Sequence, residues 1–405
     1  MAGSITYTDG GVTAPKGIRA AGVHAGFYEG QRPDLALVVA DADTPVGCGV
    51  FTKNAFAAAP VQVSRELVAR GQATAVLLNA GNANAATGEP GLKAAREAGE
   101  MAAWALGLAP ENVFVASTGV IGVPLALEPF EQAIPTLVEA LSPEGGHDAA
   151  RAIMTTDTHA KECAVRFVAD GITYTVGGMC KGAGMIQPDM ATMLAVITTD
   201  VPIAPGLAQQ ALVQAVATSF NAVTVDSDTS TNDSVFLLSS GAAGGIPIAG
   251  PGSAYTAFRD ALTAVCENLA RQIAADGEGS TKLVTVNVRG AACAADADAA
   301  ARTVANSPLV KTAIAGHDCN WGRIAAALGR SGARFTQERV DIDILGLPVC
   351  RAGLTVGFDE DEALARFTAD EVVIDIDLHA GEASARIWTC DLTHDYISIN
   401  ADYRS

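Results

Sequence analysis

The chain has 405 residues, of which 49% are hydrophobic and 5% aromatic, and its formal net charge is −19 at pH 7. This length allows two or three core-forming units, and the acidic excess disfavours nucleic acid and anionic membranes as partners, because both attract basic surfaces. No stretch has the length of a membrane span, and the first residues lack the basic start and apolar block of a signal peptide. We therefore expect a cytoplasmic protein.

The first half of the chain alternates short apolar runs with one helical pattern. LALVVADADT and TAVLLNAG, near residues 35 and 74, are typical of buried strands, and ENVFVASTGVIG predicts a strand that breaks into a glycine loop. Between the last two, the stretch from Glu89 predicts a helix with an apolar face that contains Leu92, Ala95 and Ala102.

The second half begins with a strand and two helices. MLAVITTD predicts a strand, and PGLAQQALVQAVATSF predicts a helix that begins near Pro205. The most regular helix begins at Ser253 and is stopped by Gly277. Its apolar side chains recur at helical spacing, at Phe258, Leu262, Val265, Leu269 and Ile273. GIPIAGPG, within residues 245–252, marks a soft boundary between two lobes.

Two alternating segments complete the pattern. KLVTVNVRG predicts a strand, and EVVIDIDLHAGEASARIWTC predicts a hairpin that turns at Gly381 and has one solvated face. Because strands and helices are mixed along the chain, we expect an α/β protein with helix layers over sheets.

The eight cysteines are scattered from Cys48 to Cys390, and none forms a CxxC pair. This distribution favours buried free thiols in a reducing compartment over metal ligands or disulfides. We therefore expect neither a metal nor a cofactor.

The segment KGAGMIQPDMATML, residues 181–194, combines a flexible loop with a single hydroxyl residue before an apolar run. Gly182 and Gly184 permit unusual backbone conformations, and Pro188 fixes a turn. If the fold presses the Thr192 hydroxyl onto the Ala191 carbonyl, the acyl group moves from nitrogen to oxygen. Hydrolysis of that ester would then free an α-amine on Thr192.

A threonine with a free α-amine is a suitable acyl-transfer catalyst. Its hydroxyl is a weak nucleophile that needs a base, and the α-amine, with a reference pKa of about 7.7 to 8.0, can take and return the proton. The alternative is that Thr192 is an ordinary strand residue, and the pattern alone favours this alternative, because short motifs mostly match by chance.

Further segments carry a resemblance to a known family. KGAGMIQPDMATML resembles the processing segment of the ornithine acetyltransferase family, also called bifunctional glutamate N-acetyltransferase. The resemblance extends over essentially the whole chain, through PKGIRAAGVHAGF, NAGNANAATG, STGVIG, FNAVTVDSDTSTNDS, SPLVKTAIAGHDCNWGRI and the terminal NADYRS.

The resemblance implies a fold, a maturation step and a reaction. The family fold is an αββα sandwich that resembles N-terminal-nucleophile hydrolases but differs in topology, with a smaller C-terminal α/β lobe here. Cleavage between Ala191 and Thr192 gives an α chain, 1–191, and a β chain, 192–405, which assemble as α2β2. N-acetylornithine donates its acetyl group to the threonine, ornithine leaves, and glutamate accepts the group. Some members also use acetyl-CoA, and no residue here decides that point.

The resemblance also implies roles for individual residues. Thr118 and Gly119 correspond to the oxyanion hole, although a plain strand-ending turn would equally need a glycine. Thr158 and Lys181 correspond to substrate contacts, although a turn hydroxyl and a solvated lysine are the ordinary alternatives.

Glu278 corresponds to a ligand of the ornithine ammonium group, with an exposed turn acid as the alternative. Asn400 and the terminal Ser405 correspond to substrate contacts at the C-terminus. Chain ends normally fray, so these two roles require a tail that is docked at the site.

Two other functions remain open on the sequence. The first is a self-processing amidase or aminopeptidase of the same architecture, in which water rather than glutamate removes the acyl group. The second is an acidic scaffold without catalysis, in which the loop before Thr192 is only a loop. A transferase must hold a carboxylate-bearing acceptor, for which Lys181 and Glu278 are the expected residues.

Overall fold

The structure is a computed structural model that describes residues 5–187 and 193–402. Within these two ranges the chain forms sixteen strands and eleven α-helices. The strands are β1 Thr6–Thr8, β2 Ile18–Val23, β3 Leu35–Ala40, β4 Val46–Phe51, β5 Ala75–Asn79, β6 Val113–Ser117, β7 Lys161–Ala169, β8 Ile172–Lys181, β9 Leu194–Thr199, β10 Ser234–Ser239, β11 Leu283–Ala291, β12 Asp341–Ile344, β13 Leu347–Arg351, β14 Leu354–Thr355, β15 Glu371–Asp377 and β16 Ala383–Cys390. The helices are α1 Ala59–Val68, α2 Gly88–Leu106, α3 Glu128–Glu139, α4 Gly146–Ala152, α5 Pro205–Thr218, α6 Ser253–Ala275, α7 Ala294–Ala305, α8 Pro308–Ala315, α9 Trp321–Gly329, α10 Glu360–Arg366 and α11 His394–Asp402.

The strands form three sheets in the described part of the chain. The first sheet has the order β1-β7-β8-β9-β10-β4, the second β2-β3-β5-β6, and the third β14-β13-β12-β15-β11-β16. Strands β3, β5, β6, β9 and β10 are buried along their whole length, as expected for apolar runs that are covered on both faces. These elements confirm the strands predicted near residues 35, 74, 113 and 194.

The first two sheets pack face to face through a common apolar core. The core joins side chains of the second sheet, such as Val76 and Phe114, to Val196 and Phe236 of the first. The rings of Phe114 and Phe236 are stacked with their centroids 5.1 Å apart. Helices α2 and α3 cover the outer face of the second sheet, and α5 and α6 cover that of the first. The chain is therefore α/β, with helices outside paired sheets.

Helix α6 confirms the strongest helical pattern of the sequence. The five apolar residues predicted for its inner face are all buried, and the helix contacts β7 and β8. It ends at Ala275, two residues before Gly277. A Cβ on Gly277 would lie 2.6 Å from the sulfur of Cys390, so packing as well as helix termination requires glycine there.

The predicted hairpin around Gly381 is wrong. Strands β15 and β16 do not pair, because β11 lies between them, parallel to β15 and antiparallel to β16. The turn folds over the end of β11, since the amides of Ala380 and Gly381 both donate to the Gly290 carbonyl, at 2.7 and 2.9 Å. The alternation is confirmed, with Ile374 and Ile376 buried on the inner face of β15.

The boundary predicted within 245–252 stays a prediction. The residues after it form α6, which packs on the first sheet, and the third sheet begins only at Leu283. The C-terminal part therefore shares its core with the first sheet through α6.

All eight cysteines are free, and six of them are buried. Burial raises the pKa of the Cys48 thiol to about 12, so this group stays protonated at neutral pH. None of the helices in 5–187 and 193–402 has both the length and the apolar character needed to cross a membrane.

Candidate active site

A polar cavity of about 90 Å³ lies where β6 and β8 end. Five of the residues predicted for the site contribute to its wall, namely Thr118, Gly119, Lys181, Glu278 and Asn400. They come from chain segments that are far apart in sequence, so the fold rather than local sequence brings them together.

Thr118 and Gly119 follow β6 directly. The backbone at Gly119 has φ +131°, and a Cβ there would lie 2.3 Å from the backbone carbon of Gly81. The loop at Gly81 and Asn82 therefore packs against Gly119 so closely that only glycine fits. The Thr118 amide donates to the Asn79 carbonyl at 2.9 Å, which fixes the direction of this turn. Both the turn and the requirement for glycine agree with the sequence prediction.

Lys181 is the last residue of β8 and is only 8% exposed. Its Nζ lies 3.5 Å from the Thr118 hydroxyl oxygen. Burial lowers the pKa of this lysine most, and nearby Lys161 lowers it further, whereas Asp157, Asp233 and Glu278 oppose the change. The side chain is thus a buried lysine in the cavity wall and not the solvated surface lysine of the alternative interpretation.

Glu278 follows α6 and is also 8% exposed. One of its carboxylate oxygens accepts a hydrogen bond from the Thr156 hydroxyl, and the other accepts one from Asn400 Nδ2, both at 2.7 Å. A Cβ on Gly184 would lie 2.4 Å from this carboxylate. Only glycine at position 184 leaves space for the Glu278 carboxylate. The position of Gly184 in a flexible loop did not indicate this role.

Asn400 reaches the cavity from α11, a helix without buried residues. Its Nδ2 donates to Glu278 and to the Tyr396 carbonyl, at 2.7 and 3.0 Å. The C-terminal segment is therefore held at the site through Asn400.

Thr158 lies outside the cavity wall and is exposed. Its amide donates to Asp276 at 3.0 Å, and its hydroxyl donates to the same carboxylate. Two residues of the same loop, Thr155 and Thr156, line the cavity instead. The substrate contact predicted for Thr158 stays a prediction.

Behind the wall lies a cluster of Asp157, Lys161 and Asp276, which we call the buried ion cluster. The Lys161 side chain is 0% exposed, and its Nζ donates to Asp157 at 2.7 Å and to Asp276. Burial alone would lower the pKa of Lys161, but the two carboxylates outweigh it and raise the pKa. The lysine is therefore fully charged in the interior.

Asp226 holds the segment that leads toward the predicted cleavage position. Its two carboxylate oxygens accept hydrogen bonds from the amides of Met185 and Ile186, at 2.6 and 2.8 Å. Met185 has φ +55°, a conformation that costs energy for a residue with a side chain. The Tyr396 hydroxyl donates to Asp226 at 3.3 Å. Asp226 thus stabilises a strained turn at Met185, six residues before Ala191.

Three predicted residues lie outside the described part of the chain. These are Ala191 and Thr192, at the predicted cleavage position, and the terminal Ser405. Met193 and Leu194, which follow Thr192, line a small adjoining cavity of about 20 Å³ together with Thr118 and Lys181.

Sequence reasoning missed the residues that support the wall. Lys161 opens an apolar strand, where an exposed lysine is the ordinary expectation. Asn232 is 6% exposed, and its side chain donates to the carbonyls of Ala83 and Ser117, at 2.6 and 2.8 Å. It thereby ties the cavity-lining loop at Ala83 to the end of β6. The only signal for it was its place in the polar run VDSDTSTNDS.

The cavity offers one buried lysine, one buried glutamate and a hydroxyl beside a tight glycine turn. Such a set can bind a zwitterionic amino acid, because Lys181 attracts a carboxylate and Glu278 attracts an ammonium group. Among residues 5–187 and 193–402, no group of three or more His, Cys, Asp or Glu side chains could hold a metal ion. The polar groups present here are those of a site for small charged substrates.

An α/β fold with a small, charge-paired polar cavity is the arrangement of an enzyme that acts on an amino-acid substrate. More particularly, the chain belongs to the ArgJ family, whose model matches residues 19–405. It is 51% identical over 400 residues to the arginine biosynthesis bifunctional protein ArgJ of Symbiobacterium thermophilum, covering 98% of this chain and 99% of that protein.

Two further comparisons agree with this membership. The protein of the same name from Thermosynechococcus vestitus is 48% identical over 410 residues, covering 97% of this chain and 98% of that protein. The crystal structure of the arginine biosynthesis bifunctional protein argJ from Bacillus halodurans is 46% identical, with a TM-score of 0.51. That match covers 52% of this chain and 100% of the other.

Proposed function

We propose that this chain is a self-processing acetyltransferase of arginine biosynthesis that moves an acetyl group from N-acetylornithine to glutamate. Membership of the ArgJ family supports the reaction class. The observation that carries the proposal for the site is the cavity that unites Thr118, Gly119, Lys181, Glu278 and Asn400. In this cavity Lys181 is a buried partner for a substrate carboxylate, and Glu278 is a buried partner for a substrate ammonium group.

In the first half of the reaction, the Thr192 hydroxyl attacks the acetyl carbonyl carbon, and the α-amine of Thr192 takes the hydroxyl proton. The negative charge on the carbonyl oxygen is stabilised by the Thr118 hydroxyl and the Gly119 amide, with Lys181 close by. The C–N bond then breaks, the proton passes to the leaving amine, and ornithine departs. The acetyl group remains on Thr192 as an ester.

In the second half, the amine of glutamate attacks the ester carbonyl and loses a proton to the Thr192 α-amine. The C–O bond breaks, the threonine hydroxyl regains its proton, and acetylglutamate leaves. Lys181 holds a substrate carboxylate in both halves, and Glu278 holds the side-chain ammonium group of the ornithine substrate in the first half. The side chains of Asn400, Thr158 and Ser405 complete the binding site in this proposal, which involves neither a cofactor nor a metal.

The proposed maturation is cleavage between Ala191 and Thr192, which gives chains 1–191 and 192–405. Strand β8 of the first chain pairs with β9 of the second, and β10 of the second pairs with β4 of the first. The two products would therefore share one sheet, and separating them would expose strand edges and core. This interleaving supports an assembly that stays together after cleavage, for which we propose α2β2.

The paired sheets with outer helices support the αββα sandwich of the family, related to N-terminal-nucleophile hydrolases but distinct in topology. The six buried free cysteines support a reducing, cytoplasmic location.

Incubation of the purified protein with N-acetylornithine and glutamate tests the function. We expect acetylglutamate and ornithine in equal amounts, and an acetyl adduct on Thr192 when glutamate is omitted. Free acetate in place of acetylglutamate would indicate an amidase, and the absence of both products would refute catalysis. A parallel assay with acetyl-CoA and glutamate decides whether acetyl-CoA is a second donor.

Thr192→Ala should abolish both cleavage and transfer, because it removes the hydroxyl that carries out each step. Denaturing electrophoresis measures the cleavage, and mass spectrometry measures the product. Thr355→Ala is the matched control, since Thr355 is an exposed threonine in β14. If Thr192→Ala still matured and transferred acetyl at the normal rate, the proposed nucleophile would be wrong.

A further inference from the structure

The buried ion cluster contributes more negative than positive charge directly behind the cavity wall. Asp157 and Asp276 carry two negative charges, and Lys161 between them carries one positive charge. Burial of charges is costly unless each one is paired and hydrogen-bonded. Asp276 also accepts hydrogen bonds from Thr158 and lies 3.5 Å from His159 Nδ1. Asp157 instead binds the amide of Gly182, the residue after Lys181, and the positive charge of Lys181 lowers the pKa of Asp157 against the effect of burial.

Asp157 is also bonded to the cavity wall on two sides. One carboxylate oxygen accepts the amide of Gly182, the residue after Lys181, at 2.7 Å. The other accepts the amide of Thr155, which lines the cavity, at 2.9 Å. Asp157 thus joins the loop that contains Thr155 to the end of β8, and its side chain is 0% exposed.

We propose that Asp157 is a positioning residue that keeps the Lys181 ammonium group charged and directed at Thr118. The positive charge of Lys161 opposes this effect of Asp157 on Lys181. The inference rests on the proposed function, because it concerns the cation of that same site. Asp157 does not contact the substrate in this proposal and acts only through Lys181 and the backbone at Gly182.

The groups around Lys181 act in opposite directions on its charge. Burial lowers the pKa of Lys181 most, Lys161 lowers it as well, and Asp157 is the strongest of the groups that raise it, ahead of Asp233 and Glu278. Asp157 itself would have a raised pKa through burial, but Lys181 and Lys161 outweigh burial and lower that pKa strongly. Asp157 therefore remains ionised throughout the range in which Lys181 titrates.

The direction in which the pKa of Lys181 changes distinguishes this positioning role from a purely structural one. Asp157→Asn removes the main favourable charge, so the pKa of Lys181 should fall. Lys161→Gln removes a repelling charge, so the pKa of Lys181 should rise. If either substitution merely loosened the fold, water would reach Lys181 and its pKa would move upward in both variants.

The direct measurement is the pH dependence of Lys181 acetylation by deuterated acetic anhydride, followed by mass spectrometry of the peptide that contains Lys181. Only the neutral amine reacts, so the midpoint reports the pKa without any need for enzyme activity. We expect a lower midpoint in Asp157→Asn and a higher one in Lys161→Gln. Asp148→Asn and Lys93→Gln, which neutralise exposed groups, should leave the midpoint unchanged.

The enzymatic counterpart is the alkaline limb of kcat/KM against pH, which reports groups of the free enzyme. This limb should lie at lower pH in Asp157→Asn and at higher pH in Lys161→Gln. For every pH unit by which the limb moves down, the rate measured at a fixed pH on it should fall about tenfold.

The outcomes that overturn the proposal are distinct from those that overturn the function. If Asp157→Asn does not fold, Lys161→Gln is compared with Lys161→Arg, which keeps the positive charge. Only Lys161→Gln should then raise the midpoint, whereas a loosened fold would raise it in both variants. Midpoints that stay in place, or move in the same direction in both folded variants, overturn it. A wild-type protein that transfers no acetyl refutes the proposed function, whereas the labelling result still decides the role of Asp157.

Discussion

The two walls of the cavity are built in opposite ways. One wall, which we call the sheet wall, consists of Thr118, Gly119 and Lys181 at the ends of β6 and β8. Buried backbone and the buried ion cluster surround these residues. The other, the helix wall, is α11 with Asn400, and this helix has no buried residue. Glu278 lies between the walls and is hydrogen-bonded to Asn400 on one side and to Thr156 on the other.

In the proposed reaction, this difference separates two tasks. Charge that develops during a reaction is best stabilised by dipoles and ions that are already fixed, and those belong to the sheet wall. Substrate must enter and leave, and segments that open are drawn from parts with few buried contacts, such as the helix wall. We therefore expect changes in the sheet wall to lower kcat and changes in the helix wall to raise KM.

The largest effect is expected from Gly119→Ala. The φ of Gly119 is +131°, and the added Cβ would lie 2.3 Å from the backbone carbon of Gly81. The turn must therefore move, and the Gly119 amide no longer points at the position of the oxyanion. Loss of one oxyanion donor typically costs about 10²–10³ in kcat. We expect a fall of at least this size with little change in KM, measured by steady-state acetyl transfer.

Gly107→Ala is a matched control, because Gly107 also has a positive φ, at +71°, but a Cβ there meets no atom within 4 Å. It should alter stability slightly and leave kcat unchanged. An unaltered kcat in Gly119→Ala would remove Gly119 from the proposed oxyanion hole and, with it, the rigid character assigned to the sheet wall.

An intermediate effect is expected from Glu278→Gln at the junction of the walls. The amide keeps the shape but loses the charge that would hold a substrate ammonium group. Because hydrogen bonds to charged groups contribute about 1.5–3 kcal/mol, KM for N-acetylornithine should rise about ten- to hundredfold. Steady-state kinetics with each substrate varied in turn measures this. A change confined to kcat would assign Glu278 to the sheet wall instead.

The elements that position the sheet wall could be predicted from sequence to a large extent. Apolar runs identified β3, β5, β6 and β9, and helical spacing identified α6, because one face of each element must be buried. The pairing of β15 with β11 instead of β16 was not predictable from local pattern. The alternation of apolar and polar residues fixes which side chains of a strand face the core. It does not fix which other strand pairs with that strand.

The site itself was predictable only where chemistry and resemblance coincided. Lys181, Glu278 and Asn400 were expected and do meet in one cavity. The supporting residue Lys161 was not expected, since nothing in KECAVRFVA distinguishes a lysine that is 0% exposed from a solvated one. Its burial depends on Asp157 and on Asp276, and the latter lies 115 residues away. Pairing between such distant positions exists only in the folded chain.

The smallest effect is expected from Asn400→Ala in the helix wall. The substitution removes one neutral donor, whose hydrogen bond to Glu278 spans 2.7 Å, and it leaves Glu278 with its bond from Thr156. A hydrogen bond of this kind contributes about 0.5–1.5 kcal/mol, so KM should rise about two- to tenfold while kcat stays within about twofold. Ser398→Ala, in the same exposed helix, serves as the control and should change neither constant. If Asn400→Ala lowered kcat as far as Gly119→Ala does, the helix wall would be part of the rigid catalytic structure, and the division of tasks between the two walls would not hold.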